Sequence, residues 1–271
     1  MTAPGKDPAT PRPVARQRRH TLSFLEEIRS FSPVFLDTAV DMTSIREHRA
    51  AARAPGRRYS TTAYVLHTAA RVLARHPEAN AAIRGRARPR IARYEGVHGK
   101  LALDRFLDGQ RVVLSTVLRD LEQTGLTGIQ DRIDHFRRGD PGTMAEFAPT
   151  RALQRLPWPL RTLAFRAGTR PLGRRPAVMG TFAVTSLGHR PVDGFYSVGG
   201  TTITLGLGST ADRPVVRDGR LGVAPLMRLS LTFDHRVIDG AEAADVLAEI
   251  KEGLESFKDV GDEDVCTTSS S

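Results

Sequence analysis

The feature that most constrains the fold lies near the C-terminal end, where a strand-like pattern passes directly into a helix-like one. Residues 227–233 alternate apolar and polar side chains, which predicts a strand with one buried face. Residues 241–257 place apolar side chains at helical spacing, which predicts a helix with one buried side. The chain must therefore form a domain in which helices pack with a sheet.

The rest of the chain mixes helix and strand patterns without a regular alternation of the two. Residues 108–109 are Asp-Gly, a hairpin turn signal between two strand-like runs. Further strands are predicted at 34–40, 82–83, 90–93, 97–103, 112–118, 181–185 and 201–207, and helices at 44–54, 60–76 and 127–138. This order predicts an α+β fold with a mixed or antiparallel sheet.

Composition divides the chain into one large domain and two short ends. Residues 1–17 are rich in proline and arginine and predict a disordered arm, and residues 259–271 predict a disordered tail. We therefore expect one domain over residues 18–258. The single cysteine, Cys266, excludes a disulfide framework and a cysteine-based metal cluster, and a reducing cytoplasm fits it best. No apolar stretch approaches the roughly 20 residues of a membrane span.

A basic segment at about 139–177 interrupts this domain. The formal net charge of the chain is +10, and residues 147–192 contain no acidic residue. Aliphatic residues and Trp158 are interleaved with its arginines, so it predicts an amphipathic basic insertion. The alternatives are contact with the phosphates of a small molecule, with an anionic membrane or acyl chain, or docking of a helix on the protein surface; nucleic acid is not expected. The arginines are Arg151, Arg155, Arg161, Arg166, Arg170, Arg174 and Arg175.

A His-x-x-x-Asp-Gly motif lies between the last strand and the last helix. His235 sits where the strand ends, and imidazole is the natural general base near neutral pH. Asp239 can orient a neighbouring basic group, and Gly240 permits close backbone approach or a positive φ. The alternative is a turn histidine beside a helix-capping aspartate.

Several motifs in one order resemble a known family. They are Leu-Ser-Leu-Thr-Phe-Asp-His-Arg-Val-Ile-Asp-Gly at 229–240, Gly-Thr-Phe-Ala-Val-Thr-Ser-Leu-Gly at 180–188, His-Pro-Glu-Ala-Asn-Ala at 76–81, and Asp-Gly at 108–109 followed by 112–120. Together they resemble the catalytic domain of the acyltransferase component of 2-oxo acid dehydrogenase complexes (dihydrolipoamide acyltransferase) and, more distantly, chloramphenicol acetyltransferase. The resemblance spans about residues 18–258. It implies a mixed sheet flanked by helices and a homotrimer.

The resemblance also implies a chemistry. His235 would remove a proton from the thiol of coenzyme A or dihydrolipoamide, and the thiolate would attack an acyl thioester without an acyl-enzyme. The hydroxyl that stabilises the oxyanion falls on Thr185, with Ser186 as the neighbouring candidate. Asp239 would pair with an N-terminal arginine, for which Arg19 is the match. His235 of one subunit would meet Thr185 of another, and no metal is implied.

Departures from the family pattern change which acyl donor and acceptor we expect. No lipoyl domain precedes the resemblance, so we expect no covalently bound lipoyl group and a stand-alone acyltransferase. It would move an acyl group between a thioester, acyl-CoA, and a thiol, hydroxyl or amine acceptor. Peptide-condensation domains carry a second histidine where this chain has Asp234. The alternative is a non-catalytic scaffold or assembly module of a 2-oxo acid dehydrogenase complex.

Overall fold

A computed structural model describes residues 13–85 and 87–258. The strands are β1 (Pro33–Asp41), β2 (Ala81–Arg84), β3 (Arg90–Arg93), β4 (Gly99–Leu107), β5 (Gln110–Leu118), β6 (Phe182–Ser186), β7 (Ile203–Arg217) and β8 (Arg220–Asp234). The α-helices are α1 (Arg19–Ile28), α2 (Thr43–Arg53), α3 (Thr61–Arg75), α4 (Leu126–Arg138), α5 (Ala148–Arg155), α6 (Trp158–Thr169), α7 (Arg175–Met179) and α8 (Gly240–Glu255).

Six of the strands form one mixed sheet in the order β1-β8-β7-β6-β4-β5, and β2 and β3 form a separate hairpin. β6 runs parallel to both of its neighbours, whereas every other pair in the sheet is antiparallel. The predicted α+β class, with a mixed sheet flanked by helices, is confirmed.

The sheet is incompletely closed between β4 and β6. The two strands pair over only three residues each, and the last pair joins Leu101 to Val184. Gly180 directs the chain into β6 with a φ of 71°, and a Cβ there would lie 2.8 Å from the carbonyl oxygen of His98. Beyond the last pair no backbone hydrogen bonds join β4 to β6, which leaves room for a cavity at this point.

The two faces of the sheet differ in polarity. One face packs on α3 and α8 through a fully buried core that includes Tyr64, Leu66 and Phe233. Thr204 and Ser230 are buried on the other face, where the Ser230 hydroxyl donates to the Phe195 carbonyl at 2.5 Å. The segment before β7 therefore covers this polar face.

The predicted domain, residues 18–258, ends at the last described residue and begins five residues after the first one. Residues Arg16–Arg18 already form a turn of 3-10 helix, and the main chain of Gln17 accepts a hydrogen bond from Gln154 at 3.1 Å. Residues 16 and 17, placed in the arm by the sequence, therefore belong to a helical turn. The rest of the predicted arm, residues 1–12, and the predicted tail lie outside the described residues.

The basic segment is helical, and its arginines differ in burial. Arg161 and Arg175 are buried, and Arg170 pairs with Glu27 at 3.2 Å. Trp158 and Leu163 are instead 70 % and 67 % exposed. Part of the basic face is thus turned inward, because these side chains bind oxygen atoms of α1, α6 and the loop before β7. Arg155 and Arg174 stay exposed, and contact of the segment with an anionic surface stays a prediction.

The last two strands are much longer than predicted. β7 and β8 continue past a register shift at Leu207/Thr210 into a two-stranded ribbon that ends at a turn. Val216, Leu221 and Val223 are exposed on it. Within the described residues, no helix is long and apolar enough to cross a membrane.

Candidate active site

His235 is the first residue after β8 and stands at the edge of the sheet. Its main-chain N–H donates to the Ser32 carbonyl at 2.9 Å, which ties the turn to the residue before β1. The ring lies edge-on to Phe233 with 5.5 Å between centroids. The side chain is 48 % exposed. The imidazole is therefore held by the sheet yet accessible from outside.

A buried ion pair supports this turn. The Asp234 side chain is only 2 % exposed, and its carboxylate accepts hydrogen bonds from Arg236 Nε at 2.8 Å and from the Ser32 N–H at 3.3 Å. The Arg236 guanidinium lies 5.1 Å from the centre of the Phe31 ring. Because both charges are paired and hydrogen-bonded, this arrangement fixes the backbone on either side of His235.

Asp239 contacts His235 rather than the predicted arginine. Its Oδ1 lies 3.3 Å from His235 Nδ1, which leaves Nε2 of the ring available to a ligand. Asp239 precedes α8 but makes no side-chain capping bond, so the capping interpretation is wrong. Within this single chain the described residues include no ion pair between Asp239 and Arg19, and the aspartate side chain, 88 % exposed, reaches the ring four residues before it. The pairing with Arg19 stays a prediction.

Gly240 also differs from the prediction. It is the first residue of α8, its φ is not positive, and an added Cβ would meet nothing within 4 Å. No close backbone approach requires a glycine here. The turn is set instead by Asp234, whose main-chain oxygen accepts the Val237 N–H at 2.9 Å.

Thr185 and Ser186 are neighbours on β6 and point to opposite faces of the sheet. Ser186 shares its face with the core residues Phe182 and Val184 and lines a cavity there. Thr185 shares its face with Ala183, on the polar side. Among the described residues no protein group receives a hydrogen bond from the Thr185 hydroxyl. This threonine is thus free to bind a ligand on the polar side of the sheet.

His235 and Thr185 of one chain are far apart. Thr185 pairs with Gly206, which pairs with Ser230, five residues before His235 along β8. That offset corresponds to about 17 Å along the strands, and two strand spacings add about 10 Å across the sheet. The two side chains of one chain therefore cannot act on the same carbonyl group.

A cavity of about 690 Å³ opens on the helix side of the sheet where β4 and β6 separate. We call it the helix-side cavity. The start of α3 contributes Ser60, Thr61 and Thr62 to its wall, and a helix N-terminus favours anions. Its other polar lining residues are Arg49, Asp104, Arg105, Arg137, Ser186, His189 and Thr210.

Lys100 is a buried cation that the sequence patterns do not single out. Its Nζ donates to the Gly199 carbonyl at 3.1 Å and lies 4.3 Å from the centre of the Phe24 ring. Burial, and secondarily the positive charge of Arg175, lower the pKa of Lys100 to about 7. A lysine at an inward position of a strand was the only signal in the sequence. Within the described residues no cluster of three metal-ligating side chains was found.

Comparison with known proteins confirms the resemblance. Residues 151–261 match the model of the 2-oxoacid dehydrogenase acyltransferase family (catalytic domain). The acetyltransferase component of the Bacillus subtilis pyruvate dehydrogenase complex is 53 % identical over 47 residues, which are 17 % of this chain and 11 % of that protein. A probable succinyltransferase component of the 2-oxoglutarate dehydrogenase complex from Schizosaccharomyces pombe is 36 % identical over 103 residues, 35 % of this chain and 22 % of that protein.

Solved structures match over nearly the whole length. The cubic core of a pyruvate dehydrogenase multienzyme complex covers 94 % of this chain and 97 % of its own, with a TM-score of 0.69 and 21 % identity. The dihydrolipoamide acetyltransferase of Azotobacter vinelandii gives the same values. The fold is therefore that of these catalytic cores. In sequence, residues 151–261 are similar to the acyltransferase catalytic domain of that family, and the chain spans only a small part of the length of the curated relatives it matches.

Proposed function

We propose that the protein is an acyltransferase that moves an acyl group between coenzyme A and a separate acceptor, with a site formed between two subunits of a homotrimer. The observation that carries this proposal is the half-exposed imidazole of His235, which has Asp239 on Nδ1 and a free Nε2. In the Azotobacter acetyltransferase that shares this fold, a serine, a histidine and an asparagine have been examined for roles in catalysis.

The proposed reaction needs one base and one hydrogen-bond donor. Nε2 of His235 takes the proton of the acceptor, and the resulting nucleophile attacks the thioester carbonyl. The Thr185 hydroxyl of a neighbouring subunit donates to the oxyanion that forms. When the tetrahedral intermediate collapses, the thiolate of coenzyme A leaves and receives the proton from His235.

The distance between the two residues supports a site shared by subunits. A gap of roughly 20 Å within one chain, estimated from strand geometry, is too long for both to reach one carbonyl group. Cyclic symmetry brings the same pair of surfaces together at every interface, so one type of contact would complete every site. The solved cores that share the fold include the cubic core of a multienzyme complex, which is consistent with assembly of this chain.

The helix-side cavity supports coenzyme A as the thioester carrier. It combines three arginines, a histidine and a helix N-terminus with a single carboxylate from Asp104. Phosphate groups bind well to such a wall. Because the cavity lies where β4 and β6 separate, a bound carrier could extend its thioester from the helix side towards Thr185 on the polar face.

A matched pair of histidine variants tests this proposal. We expect His235→Ala to lower acyl transfer from acetyl-CoA to a dithiol by about 10²–10⁴-fold, the range of general-base catalysis. His135→Ala is the control, because His135 lies on α4 in an exposed ion pair with Glu146. Free thiol release measures the rate, and circular dichroism checks folding. Full activity in His235→Ala would refute the mechanism. A wild-type protein that turns over no acyl-CoA and copurifies with a dehydrogenase complex would favour the scaffold alternative.

A further inference from the structure

A second cavity of about 690 Å³ lies beside the turn that carries His235. We call it the arginine cavity. Its wall combines the end of α1, the β2–β3 hairpin, the α6–α7 segment and the residue that follows His235. Five of its lining residues are arginines: Arg29, Arg84, Arg170, Arg175 and Arg236.

Carboxylates balance only part of this positive charge. Arg170 pairs with Glu27, the one carboxylate among the lining residues. Arg236 pairs with Asp234, which does not line the cavity. Arg29 pairs with Glu26, but both side chains are largely exposed, so the pair is weak. Within the described part of the chain, Arg84 and Arg175 have no carboxylate partner.

The positive charge of Arg175 is buried and lacks a carboxylate partner among the described residues, which destabilises the folded chain. The residue is 8 % exposed, and its guanidinium donates to the main-chain oxygens of Thr169 at 3.0 Å and Gly200 at 2.5 Å. Burial lowers the pKa of Arg175, although nearby Tyr94 and Glu27 act in the opposite direction. A buried cation that binds only neutral oxygens is destabilising, and an anion in the cavity would offset that cost.

We propose that the arginine cavity binds an oxyanion, a carboxylate or a phosphate, that belongs to the acceptor of the acyl group. Guanidinium groups bind both kinds of oxyanion through paired N–H donors. The identity of the ligand as the acceptor rests on the proposed function, whereas the binding of an anion does not.

The position of the cavity explains the assignment to the acceptor. Arg236 follows His235 directly, and the N–H of His235 is bonded to Ser32, next to the lining residues Ser30 and Phe31. An anionic group held here would place the rest of its molecule at the base. The phosphates of the carrier bind in the helix-side cavity, which shares no lining residue with this one. Donor and acceptor can therefore be bound together.

Calorimetric titration of the full chain with inorganic phosphate and with succinate tests the site. Arg84→Gln should weaken binding of the preferred anion about tenfold, the loss expected for one charge-assisted interaction. Arg90→Gln is the matched control, because Arg90 pairs with Arg84 across the β2–β3 hairpin but does not line the cavity. Arg29→Gln provides a second exposed variant and should also weaken binding. The stronger probe identifies a phosphate or a carboxylate as the group recognised.

The helix-side cavity is the competing location, and Arg49→Gln identifies binding there. If Arg49→Gln removes all anion binding and Arg84→Gln none, the proposal is overturned. It is also overturned if neither probe binds, or if Arg84→Gln and Arg90→Gln behave alike. His235→Ala should bind the anion as the wild type does, so loss of catalysis and loss of the anion site are separable.

A pair of thiol acceptors tests the link to acyl transfer. Dihydrolipoate carries a carboxylate that neutral dihydrolipoamide lacks. With acetyl-CoA as donor, we expect dihydrolipoate to have about tenfold higher kcat/KM, and Arg84→Gln but not Arg90→Gln to abolish this preference. Equal use of both acceptors by the wild type would contradict the assignment to the acceptor. Turnover of neither, with Arg84-dependent anion binding intact, would refute the proposed function and leave only the anion site.

Discussion

The turn after β8 and the segment from α5 to α7 bury charged side chains in different ways. In the turn, Asp234 is buried against Arg236, so each charge has an opposite one. In the segment, Arg161 is buried against the Ser23 hydroxyl at 3.2 Å, and Arg175 against main-chain oxygens. A paired charge can hold the turn beside His235 rigid. Within the described residues, Arg161 attaches the segment to α1 without a carboxylate, Arg175 attaches it to the loop before β7 through Gly200, and apolar residues such as Trp158 are left exposed.

The largest effect is expected where the charge is paired. Asp234→Ala leaves Arg236 half-buried without its carboxylate and removes an acceptor of the Ser32 N–H. We expect the free energy of unfolding to fall by about 3–5 kcal/mol. Urea denaturation measures it. A loss below about 1 kcal/mol, the range of a surface ion pair, would mean that the turn does not depend on this pair.

A smaller loss is expected from the segment. Arg161→Ala removes a buried side chain whose Nε is bonded to Ser23, and we expect a loss of about 1–3 kcal/mol because the hydroxyl of Ser23 also loses this partner. Thermal or urea unfolding gives the value. If Arg161→Ala were as costly as Asp234→Ala, the distinction between paired and unpaired buried charge would fail.

Lys100 extends the comparison to pH. Its pKa is about 7 in the folded chain and near 10.5 when unfolded, so between these values the unfolded chain binds more protons. The free energy of unfolding should therefore rise with pH from about 7 to 10, by up to about 1.4 kcal/mol per unit from this group. Urea titrations at several pH values measure the slope, and Lys100→Met should flatten it. If the pH dependence of the free energy of unfolding were the same in Lys100→Met as in the wild type, the Lys100 amine would be hydrated in the folded chain and its pKa would not be lowered.

The smallest effect is expected at the outward-facing tryptophan. Trp158→Ser should change the free energy of unfolding by less than about 0.5 kcal/mol, because the side chain is 70 % exposed. Trp158 and Arg161 lie on the same helix, so their variants are matched. A large loss in Trp158→Ser would mean that an assembled form covers this surface, which a concentration dependence of unfolding would detect.

Much of the fold follows from local patterns. The alternation at 227–233 and the helical spacing at 241–257 predict β8 and α8 because each has one buried face. The ribbon beyond Thr210 could not be predicted in this way, because its exposed Val216 and Leu221 have no core to face. The cross-strand pairs alone define it.

The site is predictable in its residues but less so in its contacts. The motif identifies His235, yet the contact of Asp239 depends on its side-chain direction and the role expected of Gly240 on its backbone φ, and spacing fixes neither. The arginines of the basic segment are the clearest case. Their sequence has the composition of an exposed basic face, but the hydroxyl of Ser23 on α1, more than 100 positions away, binds the buried Arg161, and the carboxylate of Glu27 on the same helix pairs with Arg170.

The central claim is that His235 and Thr185 act together across a subunit interface. Its most direct test mixes two inactive variants, His235→Ala and Thr185→Val, after unfolding and refolding them together. Random assembly of a trimer gives each interface one intact histidine and one intact threonine in about a quarter of cases. We therefore predict that the mixture regains about a quarter of wild-type acyl transfer, whereas each variant refolded alone regains about 1 % or less. A mixture as inactive as its components would contradict the shared site.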